Sequence, residues 1–226
     1  MRHNDSARET DHGAPVCRST SRALAVTMTL LERPTMALLA EKTTLTDFLA
    51  WENQQPERHE FYRNEIFAMV GARRVHGLIG LNLGAALKTH LRGSPCRAFV
   101  NDMKVQVADD TMFYPDVFVT CDAQDLKTEL VFRQPKLVIE VLSESTAAFD
   151  RGLKFSAYRS IEALQEYVLI DPDKRRVEVF RRNERQLFEL HDQSGAAELH
   201  LACVDLHLAM AEVFDGLDDH LGTDLI

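Results

Sequence analysis

The hydrophobic residues of this chain recur with two different periods, and the change of period separates predicted helices from predicted strands. Apolar residues three or four positions apart predict helices over residues 47–52, 75–91, 146–160 and 206–214, the first of them capped by Thr46. Alternating or continuous apolar runs predict strands over residues 60–70 (two strands joined by a turn at Arg63–Asn64), 99–107, 113–120, 136–142, 167–170, 176–182, 187–190 and 199–203. Strands and helices alternate without an internal repeat, so the predicted fold class is α/β or α+β, with a mixed central β-sheet flanked by helices.

The composition is that of one globular domain with appendages. Of 226 residues, 45% are hydrophobic and 27% are charged, and no apolar run reaches the roughly 18–20 residues that span a bilayer, so no membrane association is expected. We predict a disordered N-terminal extension over residues 1–42, a folded domain over residues 43–215 and an acidic tail over residues 216–226. A short apolar run over residues 23–31 is a poor secretory signal, because acidic residues precede it, and a cytoplasmic location is expected.

The net charge of −9 is concentrated at the C-terminal end of the chain. Residues 186–226 hold nine acidic residues and no Lys or Arg, whereas residues 1–185 hold 26 basic and 26 acidic residues. This charge neither indicates nor excludes a nucleic-acid partner, since a local basic patch is enough to bind phosphates. Four cysteines lie far apart without a C-x-x-C pair, which predicts thiols in a reducing compartment rather than a zinc module: Cys17, Cys96, Cys121 and Cys203.

The most informative single feature is an acidic residue inside a strand that is otherwise apolar. Glu140 lies in the run 136–142, where an ionised carboxylate is costly unless it is paired or binds a metal. Asp116 comes just before another apolar run, so both carboxylates point at one place if the two strands are neighbours. Two converging carboxylates are suited to Mg²⁺ or Mn²⁺. The pattern alone is equally compatible with a structural role, in which Glu140 pairs with Lys104 or Lys154 and Asp116 caps a turn.

The residues around these two acids resemble a known family. They match the Uma-type restriction endonucleases, a family formerly classed as a domain of unknown function, which belongs to the PD-(D/E)XK nuclease superfamily. The resemblance covers roughly residues 43–214. It is carried by four segments, namely Tyr114-Pro-Asp-Val, Ile139-Glu-Val-Leu-Ser-Glu-Ser-Thr, Asp150-Arg-Gly-Leu-Lys-Phe-Ser-Ala-Tyr and Leu164-Gln-Glu-Tyr-Val-Leu-Ile-Asp.

The resemblance implies a restriction-endonuclease-like core and an assignment for each catalytic position. Asp116 and Glu140 are then the two metal-binding acids, helped by the carbonyl of Val141. The superfamily lysine normally stands two residues after the second acid, where this chain has Leu142. The resemblance therefore implies that Lys154, on the following helix, takes the place of that lysine and positions or deprotonates water. The alternative is a solvated helix lysine paired with the acid one turn earlier.

Further residues match the family or supply positive charge. Glu60 aligns with the family's N-terminal glutamate and is expected to reach the metal through water. His76 also matches a family position and is a candidate substrate-facing residue, with a structural role as the alternative. Arg73, Arg74 and Lys104 are candidate substrate-facing residues, although each is equally compatible with an ordinary solvated surface.

The predicted function is hydrolysis of DNA phosphodiester bonds by a Mg²⁺- or Mn²⁺-dependent endonuclease. Its partners are then DNA and a second copy of the chain, because cutting both strands of a duplex requires two sites and a C₂ dimer matches the symmetry of DNA. Two alternatives remain open: a catalytically inactive nuclease fold retained for binding or regulation, and a metal-dependent hydrolase of small phosphorylated substrates.

Overall fold

The computed structural model describes residues 43–69, 71 and 73–217. The predicted extension over residues 1–42, and residues 218–226 of the predicted tail, lie outside the described residues. Within the described part of the chain, no helix is long and apolar enough to cross a membrane.

Helices and strands alternate along the described chain, as the hydrophobic periods predict. The helices are α1 (Leu45–Glu52), α2 (Arg74–His90), α3 (Ala147–Phe149), α4 (Phe155–Tyr158) and α5 (Met210–Val213), and a π-helical turn at Asp150–Lys154 joins α3 to α4. The strands are β1 (His59–Tyr62), β2 (Glu65–Ala68), β3 (Arg97–Val100), β4 (Lys104–Ala108), β5 (Thr111–Phe113), β6 (Val117–Thr120), β7 (Val131–Phe132), β8 (Pro135–Val141), β9 (Glu166–Asp171), β10 (Arg176–Arg182), β11 (Phe188–Asp192), β12 (Glu198–Leu201) and β13 (Leu206–Ala209).

Two mixed sheets form the body of the domain, which confirms the predicted fold class. The larger sheet has the strand order β11-β10-β9-β8-β6-β3, and the smaller one has the order β2-β1-β5-β4-β7. Strand β8 lies between β6, to which it is antiparallel, and β9, to which it is parallel. A hairpin of β12 and β13 completes the β-structure. The central place of β8 explains why its sequence is almost entirely apolar.

Helix α2 covers one face of the larger sheet. Its Ile79, Leu83 and Leu87 are fully buried against alternate strand residues such as Val117 and Ile139. Leu81, another apolar residue of this predicted helix, is instead 64% exposed. The apolar spacing therefore located the helix correctly, but it did not identify the buried side.

The π-helical turn determines which residues of the next helical segment are buried. Because a π-turn adds one residue to a helical turn, it rotates the side chains that follow. Leu153 is 44% exposed, whereas Lys154 is buried. The helix predicted over residues 146–160 is broadly confirmed by α3, the π-helical turn and α4, but its apolar residue Leu153 does not face the core.

Other local predictions meet mixed outcomes. The turn at Arg63–Asn64 is confirmed, and both residues have positive φ angles, of 51° and 68°. The N-cap of α1 is Thr44 rather than Thr46. The side chains of Thr44 and Asp47 each accept a hydrogen bond from the backbone N–H of the other residue. The predicted helix over residues 206–214 is mostly wrong, since β13 occupies its first half.

Two of the four cysteines are not thiols. Arg97 pairs with Thr120 across β3 and β6, which places the flanking Cys96 and Cys121 opposite each other, and these two residues form a disulfide. This corrects the prediction of free thiols at both positions. Cys203 is a free cysteine, and burial raises the pKa of its thiol.

Candidate active site

The two acids singled out by the sequence lie side by side. Val117 of β6 pairs with Ile139 of β8, so Asp116, which directly precedes β6, lies opposite Glu140. The backbone N–H of Val141 donates to Asp116 Oδ2 over 2.7 Å, which holds this carboxylate against β8. Glu140 is 2% exposed. The strand pairing therefore creates the convergence of carboxylates that the sequence predicted.

Lys154 lies inside a group of three carboxylates. Its Nζ atom is 2.8 Å from Glu60 Oε1, 3.3 Å from Glu140 Oε1 and 3.4 Å from Asp150 Oδ1. All four side chains are buried, and the ammonium group also faces the ring of Phe113 at 5.7 Å. Lys154 contacts Asp150 one turn earlier, as the alternative interpretation expected, but it is buried rather than solvated and also contacts Glu140.

Glu60 reaches the cluster from the smaller sheet. Strand β1 pairs with β5, and the chain leaves β5 through Tyr114, whose backbone N–H donates to Glu60 Oε1 over 3.2 Å. This hydrogen bond fixes a carboxylate of the smaller sheet beside the start of β6. The cluster therefore joins the two sheets through the segment that carries Asp116.

His76 joins the cluster from the beginning of α2. Its Nε2 atom lies 2.7 Å from Asp116 Oδ1, so Asp116 is held between the imidazole and the Val141 amide. Burial alone would lower the pKa of His76, but the hydrogen bond to Asp116 and the charge of that carboxylate outweigh burial and raise this pKa. A protonated His76 would pair directly with the Asp116 carboxylate.

Burial dominates the protonation of the carboxylates. It raises the pKa of Glu60, Glu140 and Asp150, with the largest effect at Glu140, and the charge of Lys154 offsets this only in part. Burial would lower the pKa of Lys154, but the three surrounding carboxylates outweigh it and hold this pKa well above its ordinary value. Lys154 is therefore a stable ammonium ion, whereas the ionised forms of Glu60, Glu140 and Asp150 are only partly stabilised by it.

The cluster carries the oxygen donors that a hard divalent cation prefers. Among the described residues, the carboxylates of Glu60, Glu140 and Asp150 surround one buried ammonium group, and Asp116, paired with His76, lies opposite Glu140. Carboxylate oxygens are the ligands that Mg²⁺ and Mn²⁺ prefer. The hydroxyl of Tyr158 is buried without a hydrogen-bond partner in the described chain, and Glu140 and Glu60 contribute to raising its pKa. The site thus combines uncompensated carboxylates with an unpaired polar group.

Leu142, which stands where the superfamily lysine normally lies, belongs to the apolar core. It is 3% exposed and packs in a cluster that includes Tyr158 and Leu164. No ammonium group is present at this strand position, and the nearest replacement in the geometry is Lys154, 3.3 Å from Glu140.

Three predicted substrate-facing residues lie outside this cluster. Lys104 is buried against the ring of Tyr114, with Nζ 5.4 Å from its centre, and none of its described contacts is with Asp116 or Glu140. Arg73 is exposed and forms two hydrogen bonds, of 2.7 and 3.0 Å, with Asp173. Arg74 donates to the carbonyl of Gly216 over 3.3 Å.

Two residues of the cluster were not identified from the sequence. The sequence offers Asp150 only as the acid one turn before Lys154, and Tyr158 only as the last residue of a segment that resembles the family. Their spacing from Lys154, four residues before and four after, is a usable signal, because residues four apart share a helix face. The π-helical turn, which places Lys154 inside the cluster, has no comparable signal in the amino-acid sequence.

Comparison with known proteins agrees with this architecture. The family model Uma2, described as "Putative restriction endonuclease", matches residues 45–211. Two proteins of Synechocystis sp. (strain ATCC 27184 / PCC 6803 / Kazusa), named uncharacterized proteins slr1290 and sll1609, are 33% and 35% identical to this chain. The matches cover 78% and 69% of this chain and 93% and 91% of those proteins.

A solved structure shares the fold. The crystal structure of a "putative nuclease belonging to DUF820" from Anabaena variabilis ATCC 29413 superposes with a TM-score of 0.63 at 20% identity, over 76% of this chain and 97% of that chain. The fold is therefore that of a nuclease-like α+β protein. The chain belongs to the Uma2 family, as its motifs predicted.

Proposed function

We propose that this protein is a divalent-metal-dependent endonuclease that hydrolyses phosphodiester bonds in DNA. The observation that carries the proposal is the placement of Asp116 opposite Glu140 on paired strands, with Lys154 Nζ 3.3 Å from Glu140. Membership of a restriction endonuclease family supports the reaction class. Asp116 and Glu140, with the Val141 carbonyl, would hold Mg²⁺ or Mn²⁺, and Glu60 would act through water.

The bound metal ion would supply activation of water and stabilisation of negative charge on the phosphate. The side chains of the chain itself would do the rest. His76 and the Val141 amide orient Asp116 by hydrogen bonds of 2.7 Å each. Lys154, held as an ammonium ion, donates hydrogen bonds and meets the charge that develops on the phosphate. Its raised pKa favours this role over that of a general base.

The proposal includes the substrate, the assembly and the location. Cleavage of both strands of a duplex requires two sites, so we propose a homodimer whose two-fold axis matches that of DNA. Genomic or invading DNA lies in the cytoplasm, and we propose that the protein acts there. Arg73, exposed at the beginning of α2 and three residues before His76, is a proposed phosphate contact.

A cleavage assay distinguishes this function from the two alternatives. The endonuclease should nick or linearise DNA with Mg²⁺ or Mn²⁺, lose activity in EDTA, and bind DNA more weakly as salt increases. Activity confined to nucleotides or other small phosphates, and insensitive to salt, would indicate the small-substrate hydrolase. DNA binding without turnover under any metal would indicate the inactive relative.

A further inference from the structure

The β12–β13 hairpin carries two histidines on its outer face. Leucines at alternate positions of both strands point into the core, which leaves His200 and His207 on the opposite side of the hairpin. These two histidines are direct partners in the antiparallel register. Their rings stack with centres 4.1 Å apart and planes inclined by 15°.

The turn between the two strands adds a carboxylate to this pair. Residues Ala202–Val204 form a 3₁₀ turn, and Asp205 follows in the left-handed region with φ 52°. One ligand atom each of His200, Asp205 and His207 lies within 4.8 Å of the other two. The three side chains come from eight successive positions, 200–207, so they belong to one hairpin and its turn.

We infer that His200, Asp205 and His207 form a second metal site, which binds a divalent transition-metal ion of the Zn²⁺ type. Two imidazoles and one carboxylate are ligands that Zn²⁺ favours, and they differ in kind from the all-oxygen cluster around Glu140. Zn²⁺ bonds of about 2.0–2.1 Å place tetrahedral ligand atoms roughly 3.4 Å apart, which modest side-chain rotation reaches from the present arrangement. Water fills the fourth position, because the site is open to solvent.

Neighbouring residues orient both histidines. Nδ1 of His207 lies 2.9 Å from Glu198 Oε1, which leaves Nε2 for the metal in the carboxylate–histidine–metal arrangement common in metalloproteins. The backbone of His200 is held at both of its polar groups: its N–H donates to Gln193 Oε1 over 2.8 Å, and its carbonyl accepts from Gln193 Nε2 and Arg181. The backbone of His200 and the ring of His207 are therefore held in place without an ion.

Metal binding at this place would link β12, the turn and β13 into one unit. The hairpin packs its leucines beside α2 and α5, so stabilising it stabilises one side of the main core. The inference does not rest on the proposed function. Zn²⁺ binding at the hairpin is measured without any nuclease activity.

The test is Zn²⁺ titration of the full-length protein by calorimetry, with thermal unfolding measured in parallel. The variants are H200Q/H207Q, which removes two ligands, and H191Q, a matched histidine change on β11. Wild type and H191Q should bind one more Zn²⁺ than H200Q/H207Q, and only they should gain in melting temperature from that ion. E198Q, which removes only the partner of His207, should lower the affinity for this ion by about 10–100-fold.

The outcomes separate this site from the acidic cluster. E140Q should leave the hairpin ion in place, since Glu140 is not one of its ligands. Equal Zn²⁺ stoichiometry in wild type and H200Q/H207Q overturns the inference. So does an equal loss of Zn²⁺ in H191Q. Circular dichroism of each variant verifies that it is folded.

Discussion

Lys154 Nζ lies 3.3 Å from Glu140 Oε1, although the two residues are 14 positions apart and belong to a helical turn and a strand. This contact places an ammonium group beside the second acid of the motif, while the position two residues after that acid is the buried Leu142. The contact supports the hypothesis that Lys154 takes the place of the lysine that the superfamily normally carries two residues after the second acid. It also makes Lys154 the natural residue for the first prediction.

Substitution of Lys154 should reduce turnover far more than metal binding. We expect Lys154→Ala to lower kcat about 10²–10⁴-fold, because the ammonium group meets charge that develops on the phosphate. Lys154→Arg should restore only part of the rate, since a planar guanidinium does not reproduce the three contacts of the ammonium group.

The control for this prediction is Lys136→Ala, a lysine of β8 outside the cluster. Lys154→Met, which retains most of the volume but not the charge, separates the effect of the lost ammonium group from that of a cavity. Steady-state kinetics and metal titration on each folded variant supply the measurement. Cleavage by Lys154→Ala at the wild-type rate would make the assignment wrong.

Glu140→Gln should retain or raise stability in the absence of metal, and the effect should depend on pH. Burial raises the folded pKa of Glu140, so the folded state binds this proton more tightly than the unfolded state. The associated stability is complete below the unfolded pKa of about 4.3 and is lost as pH rises through the folded pKa. A glutamine at this position does not ionise, so the free energy of unfolding of the variant does not fall with pH for this reason.

The measurement is urea unfolding of both proteins in EDTA across pH 4–8. The advantage of Glu140→Gln should grow toward pH 8, although Glu60 and Asp150, whose pKa values are raised in the same direction, retain part of the pH dependence. A clearly lower free energy of unfolding for Glu140→Gln at pH 8 would indicate a structural ion pair instead.

Arg73 should contact DNA phosphate, in competition with its partner Asp173. Arg73→Ala should weaken DNA binding and reduce the slope of log K against log salt by about 0.9, the value for one phosphate contact. Asp173→Asn should strengthen binding, because it frees the guanidinium. Fluorescence anisotropy with duplex DNA in the Glu140→Gln background measures both effects without cleavage. Wild-type affinity in both variants would exclude Arg73 from the interface.

The domain boundary yields a further prediction. Deletion of residues 1–35 should leave melting temperature and cleavage unchanged, because the family match begins only at residue 45. Thermal unfolding and the cleavage assay measure both properties. An insoluble or inactive truncated protein would show that the segment contributes to the fold.

The sequence predicted the features that depend on local pattern. The apolar run around Glu140 indicated a central strand, and the turn at Arg63–Asn64 followed from asparagine's tolerance of positive φ. The prediction placed Asp116 and Glu140 together because Glu140 interrupts one apolar strand and Asp116 directly precedes another.

Features that depend on tertiary contacts were not predictable in this way. The Cys96–Cys121 disulfide follows from the β3–β6 register, which a separation of 25 residues does not reveal. The π-helical turn exposes Leu153 and buries Lys154, contrary to ordinary helical spacing. Leu206 and Leu208 are spaced two apart, as in a strand, and the helix predicted over residues 206–214 wrongly extended the helical spacing of the later apolar residues over them.

The central claim is that Asp116 and Glu140 bind the metal ion that cleaves DNA. Single-turnover cleavage of a labelled duplex tests it most directly, with wild type, Asp116→Asn, Glu140→Gln and the matched control Asp109→Asn, an exposed residue in the turn between β4 and β5. We expect Mg²⁺- or Mn²⁺-dependent cleavage by wild type and Asp109→Asn, and no cleavage above background by the two cluster variants. Cleavage that persists in Asp116→Asn or Glu140→Gln, or that proceeds equally in EDTA, would contradict the claim.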